Sequence, residues 1–234
     1  MPIRGNRLAA FLVVGGLVLL GLLLAHLTGP DLEQPTGGGG QSARFDYYVL
    51  VLSWSPTYCA SQGASRHDAQ CTGARPRSFV LHGLWPQNIS GWPQDCAAGT
   101  RNWVPQPVID GMRDIMPSKN LIIHEYRAHG TCSGLDPQKF FGLARDLYER
   151  VTIPPRFAAT TDWPVLSPNE IEGEFLNANP WLRPEMISVT CRGRELLDVR
   201  VCFGRDGLPR ACGPNEDRSA CHIAKVEVPP ARTK

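Results

Sequence analysis

Two short stretches hold the side chains best suited to moving protons. HEYRAHGTC, from His124 to Cys132, sets two histidines and a glutamate within six residues, and FVLHGLWP, from Phe79 to Pro86, places His82 between an apolar run and a Gly-Leu-Trp-Pro turn. Three of the chain's six histidines lie in these two places. An imidazole titrates near neutral pH, so two of them in different surroundings can divide the roles of acid and base. If the second stretch is an α-helix counted from His124, Ala128 falls at about 40°, Glu125 at about 100° and His129 at about 140°. Both histidines and the glutamate then share one face. Arg127 sits at about 60° on the other flank of His124, and Tyr126 lies on the far side. Such a face can exchange protons and bind an anion.

The competing chemistry is metal binding. The His-Glu-x-x-His pattern needs its histidines at i and i+4, whereas His124 and His129 stand at i and i+5, too splayed for that geometry. Eight cysteines offer the other metal-ligating set: Cys59, Cys71, Cys96, Cys132, Cys191, Cys202, Cys212 and Cys221. No CxxC pair occurs among them and the closest spacings are wide for a structural zinc site, so they read as disulfides formed in an oxidising compartment. His67 and His222 read as capping or hydrogen-bonding residues.

The N-terminus supplies a route to that compartment. Residues 1–7 are a basic cytoplasmic region, and 8–27 form an apolar run long enough to span a bilayer, as a signal sequence or a retained anchor. Residues 28–43, with Gly37 to Gly40 in a row, read as a flexible linker. Residues 44–234 are then a single folded domain. A net charge of +2 is too small for a dedicated electrostatic binder of nucleic acid, so any such affinity must come from a local site.

Within the domain, Phe45 to Trp54 reads as a buried strand. SFVLHGLWP reads as a short strand ending at Gly83, with His82 among its last residues. The loop that follows, Gln87 to Val104, contains the sequon Asn88-Ile89-Ser90, relevant only in a eukaryotic secretory pathway. Ile109, Met112 and Met116 mark a helix over 107–116. Ser118 can cap a second helix carrying Leu121 to His129. Asp136 and Pro137 open a third, with Phe140, Leu143, Ala144 and Leu147 on its core face. Ser167 and Glu170 have capping-box spacing, and Met186 to Phe203 alternates as a hairpin turning at Arg192 to Arg194. There are no repeats and no βαβ periodicity. The expectation is an α+β fold: a central antiparallel sheet packed with several helices and stapled by disulfides.

FVLHGLWP and HEYRAHGTC together resemble the two active-site signatures of the ribonuclease T2 family, and LVLSWSPTYC (Leu50 to Cys59) is similar to that family's opening strand. The likeness covers roughly residues 45–221. It implies a metal-independent, cofactor-free endoribonuclease, acting as a monomer on single-stranded RNA. Cleavage would yield a 2′,3′-cyclic phosphate and then, more slowly, a 3′-phosphate. DNA, lacking the 2′-hydroxyl nucleophile, would be inert. On this resemblance His129 is the base of the first step, His82 the acid, Glu125 a transition-state carboxylate and His124 a phosphate ligand. Trp85 matches a base-stacking residue, Gln87 lies at a base-site position, and Pro117, Ser118 and Leu121 resemble a second base site. The pairing Cys59–Cys71, Cys96–Cys132, Cys191–Cys221 and Cys202–Cys212 is likewise implied by the family, since eight cysteines alone allow about 105 pairings.

One residue departs from the pattern: the family carries a lysine where this chain has Ala128. Arg127 is the neighbouring cation that can reach a phosphate in its place. Two other readings follow from the same residues. One is a non-catalytic or weakly active RNA-binding or surface protein on this fold, and the other is a zinc hydrolase. The expected location is periplasmic or extracellular, with residues 8–27 as the tether to the membrane if they are kept.

Overall fold

A computed structural model describes residues 44–61, 68–72, 77–96, 103–158 and 162–231. The basic region, the apolar segment, the linker and His67 lie outside the described residues. No described helix is long and apolar enough to cross a membrane.

The fold is built on β1 (Tyr47–Trp54), in which all eight residues are buried. Its sequence, YYVLVLSW, is apolar on both faces, as a central strand requires. It pairs antiparallel with β2 (Phe79–Gln87) on one side and with β5 (Glu195–Gly204) on the other. Between β1 and β2 comes α1 (Ser55–Ser61). The two-residue strand β3 (Val165–Leu166) pairs with β6 (Val226–Glu227), and β4 (Ile187–Arg192) forms the expected hairpin with β5. That hairpin turns through Gly193, whose φ of 59° suits glycine. The sheet is mixed rather than purely antiparallel. After the hairpin the chain returns beside β5, and β6 runs parallel to it at Glu195↔Glu227.

The sheet separates two jobs. Tyr48, Leu50, Leu52 and Trp54 of β1 join the main core with Leu81, Leu84, Val199 and Val201. Helices cover this face: α2 (Gln106–Met112), α3 (Lys119–Glu125), α4 (Pro137–Arg150) and α5 (Pro168–Ala178) contribute Ile109, Ile122, Phe140 and Phe175. Each such side chain stabilises the fold by about 1.5–3 kcal/mol. Tyr47, Val49 and Val51 of β1, with Cys202 of β5, form a small second cluster, against which Trp85 and Cys212 pack.

Local chemistry places the helix starts. The Asp136 carboxylate accepts from Lys139 N at 2.9 Å, with Pro137 in the first turn. Ser167 and Glu170 form the reciprocal capping box. Ser118 Oγ accepts from Leu121 N and caps α3. The helix after it is not α throughout: Tyr126–Gly130 is a π-turn. Thr131 N donates to Tyr126 O, five residues back. At its end Gly130 is obligatory, because a β-carbon there would sit 3.1 Å from the Phe140 ring and collide with that of Tyr126. The α2 helix is shorter than its periodicity predicts, ending at Met112, although Met116 is still buried.

All eight cysteines are paired, as Cys59–Cys71, Cys96–Cys132, Cys191–Cys221 and Cys202–Cys212. This is the pairing implied by the family likeness. Cys96–Cys132 bears on the site, because it fastens the loop after β2 to the end of the π-turn.

Candidate active site

His82 owes its position to a fault in the strand. Val51 of β1 faces Gly83, but the next residue, Leu52, faces Leu81. His82 is thus the extra residue of a β-bulge, a device that re-aims a side chain next to active sites. The bulge lets Leu81 and Leu84, three apart, both enter the core, while Trp85 packs on the opposite face. The strand does not end at Gly83, as its Gly-Leu-Trp-Pro sequence predicts, but continues to Gln87. His82 is therefore held mid-strand, with pairing on both sides of it.

Glu125, the last residue of α3, is 1% exposed and meets this bulge. Its Oε1 lies 3.5 Å from His82 Nε2. Its Oε2 accepts from the Trp85 indole N–H at 2.7 Å. Gly83 makes the contact possible. A β-carbon there would overlap Glu125 Oε2 and stand 2.9 Å from Trp85 Nε1. His129, from the π-turn, completes the group with its ring centroid 5.1 Å from that of Trp85, and His82 packs edge-on to the same indole at 5.3 Å. Both imidazoles therefore pack against the one indole.

Electrostatics divides those imidazoles. Burial disfavours charge on His82, but the hydrogen bond and charge of Glu125 outweigh it, and its pKa is raised above the ordinary 6.5. Burial pushes His129 below that value, with the like charges of His124 and His82 adding to the effect against the pull of Glu125. Burial also works against the Glu125 anion, but His82, His129 and the Trp85 N–H together hold its pKa below the usual carboxylate range. One histidine is thus set up to carry a proton and the other to accept one. His129 Nδ1 is buried with no hydrogen-bond partner among the described residues.

The π-turn changes the geometry expected of the second stretch. Its wider turn departs from the 100° step of an α-helix, and the two histidines and the glutamate differ in burial. Glu125 is buried against the sheet, His129 half-buried beside Trp85, and His124 exposed at the rim. His124 is still near enough for its charge to act on His129. Ala128 is not an open position between His124 and Glu125: it is 2% exposed, and its carbonyl accepts from Asp95 N in the loop after β2 at 2.9 Å. Arg127 is exposed.

The residues expected at base sites have structural partners. Gln87 is buried, and its Oε1 accepts from Asn215 Nδ2 at 3.1 Å. The same Nδ2 donates to Asn88 O and Gly91 O at 2.9 and 2.8 Å, which braces the loop. Asn215 belongs to α6 (Pro214–Ser219). Pro117 is buried, Ser118 caps α3, and Leu121 packs against the main core. Two neighbours of His82 escape sequence reading, Asp198 and Arg200 of β5. The one signal available was a pair of charges alternating through the apolar run LLDVRVCF.

Comparison with known proteins bears on the whole arrangement. The model of the ribonuclease T2 family matches residues 45–208. A ribonuclease of Aeromonas hydrophila is 35% identical over 192 residues, covering 81% of this chain and 84% of the relative. Among solved structures, the complex of a ribonuclease MC1 mutant with 5′-UMP is 25% identical with a TM-score of 0.57, covering 70% of this chain and 91% of the other. An RNase-related protein from Calystegia sepium shares the fold at 19% identity and a TM-score of 0.63, covering 81% and 99%. The chain belongs to the ribonuclease T2 family and is a T2-type endoribonuclease. The α+β sheet with its helices and four disulfides is the fold of that family's solved structures.

Proposed function

We propose that this chain cleaves single-stranded RNA by metal-independent transphosphorylation, with His129 as base and His82 as acid. The observation that carries the reading is the division of the two imidazoles around one indole and one carboxylate: the pKa of His129 is pushed below the ordinary value and that of His82 above it. In the first step neutral His129 takes the proton of the 2′-hydroxyl, and the 2′-oxygen attacks the adjacent phosphorus. With Nδ1 enclosed, Nε2 is the nitrogen that meets the substrate. His82 gives its proton to the departing 5′-oxygen, leaving a 2′,3′-cyclic phosphate. The roles then reverse, and water opens the ring to a 3′-phosphate. Glu125 stabilises the charge of His82 throughout, and His124 at the rim serves as a phosphate ligand. Electrostatic stabilisation of the transition state also calls for a cation. Arg127, exposed on the π-turn, takes that role in place of the family lysine whose position Ala128 holds.

Pro117, Ser118 and Leu121, together with Trp85 and Gln87, remain the proposed base-site positions. The buried contacts of Gln87 and Trp85 favour a supporting role for these two over a specific reading of the base. The test is to incubate the purified protein with RNA and with DNA, with and without EDTA, and to analyse the ends. The expected result is EDTA-resistant cleavage of RNA alone to cyclic phosphates. Absence of cleavage would favour an RNA-binding protein on this fold, and loss of cleavage in EDTA would favour metal chemistry.

Export belongs to the same reading, placing the domain in the periplasm or outside the cell as a monomer. The four disulfides support an oxidising compartment, and residues 8–27 provide the export signal or tether. Fractionation of expressing cells would test this, since recovery in the cytoplasm with free thiols is incompatible with it.

A further inference from the structure

Across β1 from the bulge that holds His82, β5 carries two charges that the mechanism above does not use. Asp198 faces Ser53 on β1 and Thr190 on β4, and Arg200 faces Val51 and Ser188. Val51 is also the partner of Gly83, next to the bulge. Asp198 and Arg200 are two residues apart on one strand and so point to the same face. It is the face of Trp85, because the Arg200 guanidinium lies 5.3 Å from the centre of that indole.

Both side chains are enclosed, at 5% exposure for Asp198 and 16% for Arg200, yet neither is fully partnered. Arg200 Nη2 is 3.9 Å from Asp198 Oδ2, too long for a hydrogen bond, while Nη1 donates to Ser219 Oγ at 2.8 Å. Thr190 Oγ1 donates to Asp198 Oδ2 at 3.4 Å. Asp198 Oδ1 and Arg200 Nε are buried with no hydrogen-bond partner among the described residues. Placing two ions in a sheet interior with loose mutual geometry is unfavourable for stability alone. The arrangement makes better sense if their fields act on a third group, and the imidazole of His82 is that group.

We propose that Asp198 and Arg200 are opposed positioning residues for His82, the buried carboxylate favouring its imidazolium form and the guanidinium limiting it. The charged or titratable groups facing His82 are then Glu125 from α3, His129 from the π-turn, and Asp198 and Arg200 from β5. Their electrostatic effects on His82 run in these directions: Glu125 and Asp198 raise its pKa, and Arg200 lowers it. The exchange is mutual: burial leaves the pKa of Asp198 above the ordinary carboxylate value, against the downward pull of His82, Arg200 and the hydrogen bonds of Ser53 and Thr190. An acid catalyst must hold its proton at the working pH yet release it in the transition state. Two carboxylates with one counter-charge provide that setting.

The inference rests on His82 as the acid, but its test does not need RNA cleavage. The pKa of His82 is read by NMR titration of the imidazole in the free protein, in wild type, Asp198→Asn and Arg200→Gln. The expected shifts have opposite signs: down by about half a unit to one unit in Asp198→Asn, and up by a comparable amount in Arg200→Gln. General loosening of the fold moves both variants the same way. Equal-signed shifts, or none, would overturn the proposal. Should Asp198→Asn not fold, Arg200→Gln against Arg200→Lys carries the test. The glutamine variant should raise the value and the lysine variant should restore it, and equal values would overturn the idea. If the shifts appear in a protein that does not cleave RNA, the charge arrangement stands and the catalytic assignment fails.

Discussion

The carboxylate of Glu125 occupies the space that a side chain at position 83 would fill, so this buried group on the helix fits the strand only because residue 83 is glycine. Gly83→Ala should expel Glu125 from between His82 and Trp85. Misplacement of a catalytic group by about 1 Å can cost on the order of 100-fold in rate, and overpacking costs about 1–3 kcal/mol in stability. Steady-state kinetics with a thermal melt would check both. A fully active Gly83→Ala protein would mean that Glu125 is dispensable or free to relocate.

Trp85 has a narrower prediction, because its indole N–H bonds to Glu125 at 2.7 Å. Trp85→Phe keeps an aromatic ring but removes that donor. A hydrogen bond to a charged group is worth about 1.5–3 kcal/mol, which corresponds to about a 10- to 100-fold loss of kcat. If Trp85 acts chiefly by stacking on a base, KM should rise in Trp85→Ala while Trp85→Phe stays near wild type in kcat.

The pH dependence follows from the two shifted histidines. His129, lowered below 6.5, must be neutral to act as base, so the rate rises as pH climbs through its pKa. His82, raised above 6.5, must be protonated, so the rate falls as pH passes its pKa. The kcat/KM profile for RNA should be a bell with a plateau bracketing pH 6.5. Alanine at either histidine should remove the corresponding limb and cost about 100- to 10,000-fold. The same shifts bear on stability with opposite signs. The contribution of His82 is present below its unfolded pKa and lost as pH rises through the folded one. That of neutral His129 is lost as pH falls through its folded pKa. Urea titrations from pH 5 to 8 would reveal the balance.

Arg127→Ala tests the cation proposed to stand in for a lysine. Turnover should fall at least about tenfold, as expected for loss of a charged contact to the transition state, with folding intact because the side chain is exposed. An unchanged rate rejects the role.

The Cys96–Cys132 bond closes a span of 36 residues that contains the loop after β2 and both helices before the π-turn. By loop entropy it stabilises the fold by about 4 kcal/mol. The Cys96→Ser/Cys132→Ser pair should lower the melting temperature and reduce activity together, since Asp95 would no longer be fastened against the π-turn. A variant that melts early but keeps full activity below its transition would separate stapling from positioning.

The sequence disclosed what depends on neighbours along the chain and concealed what depends on register. Ser118, Asp136 and the Ser167–Glu170 pair cap their helices as read, because capping is decided within three or four residues. The strand through His82 was cut short because Gly83 and Pro86 are strong break signals, when the spacing of Leu81 and Leu84 already required a bulge. The π-turn was missed for a similar reason. Steps of 100° put Ala128 between His124 and Glu125, whereas the loop after β2 covers it through Asp95 N and His124 stays at the rim. Asp198 and Arg200 carry no local signal, since only the pairing of β5 with β1, about 150 positions apart in the chain, brings them to the face of Trp85.

The bulge makes the active site depend on residue count as much as on residue identity. Deleting one residue between Leu81 and Leu84 would restore regular pleating, and a shift of one residue exchanges the two faces of a strand. Either His82 or the leucines would then be misdirected, with every remaining side chain chemically intact. Homologous chains should tolerate no change in the length of β2, and engineering of this strand is confined to substitution.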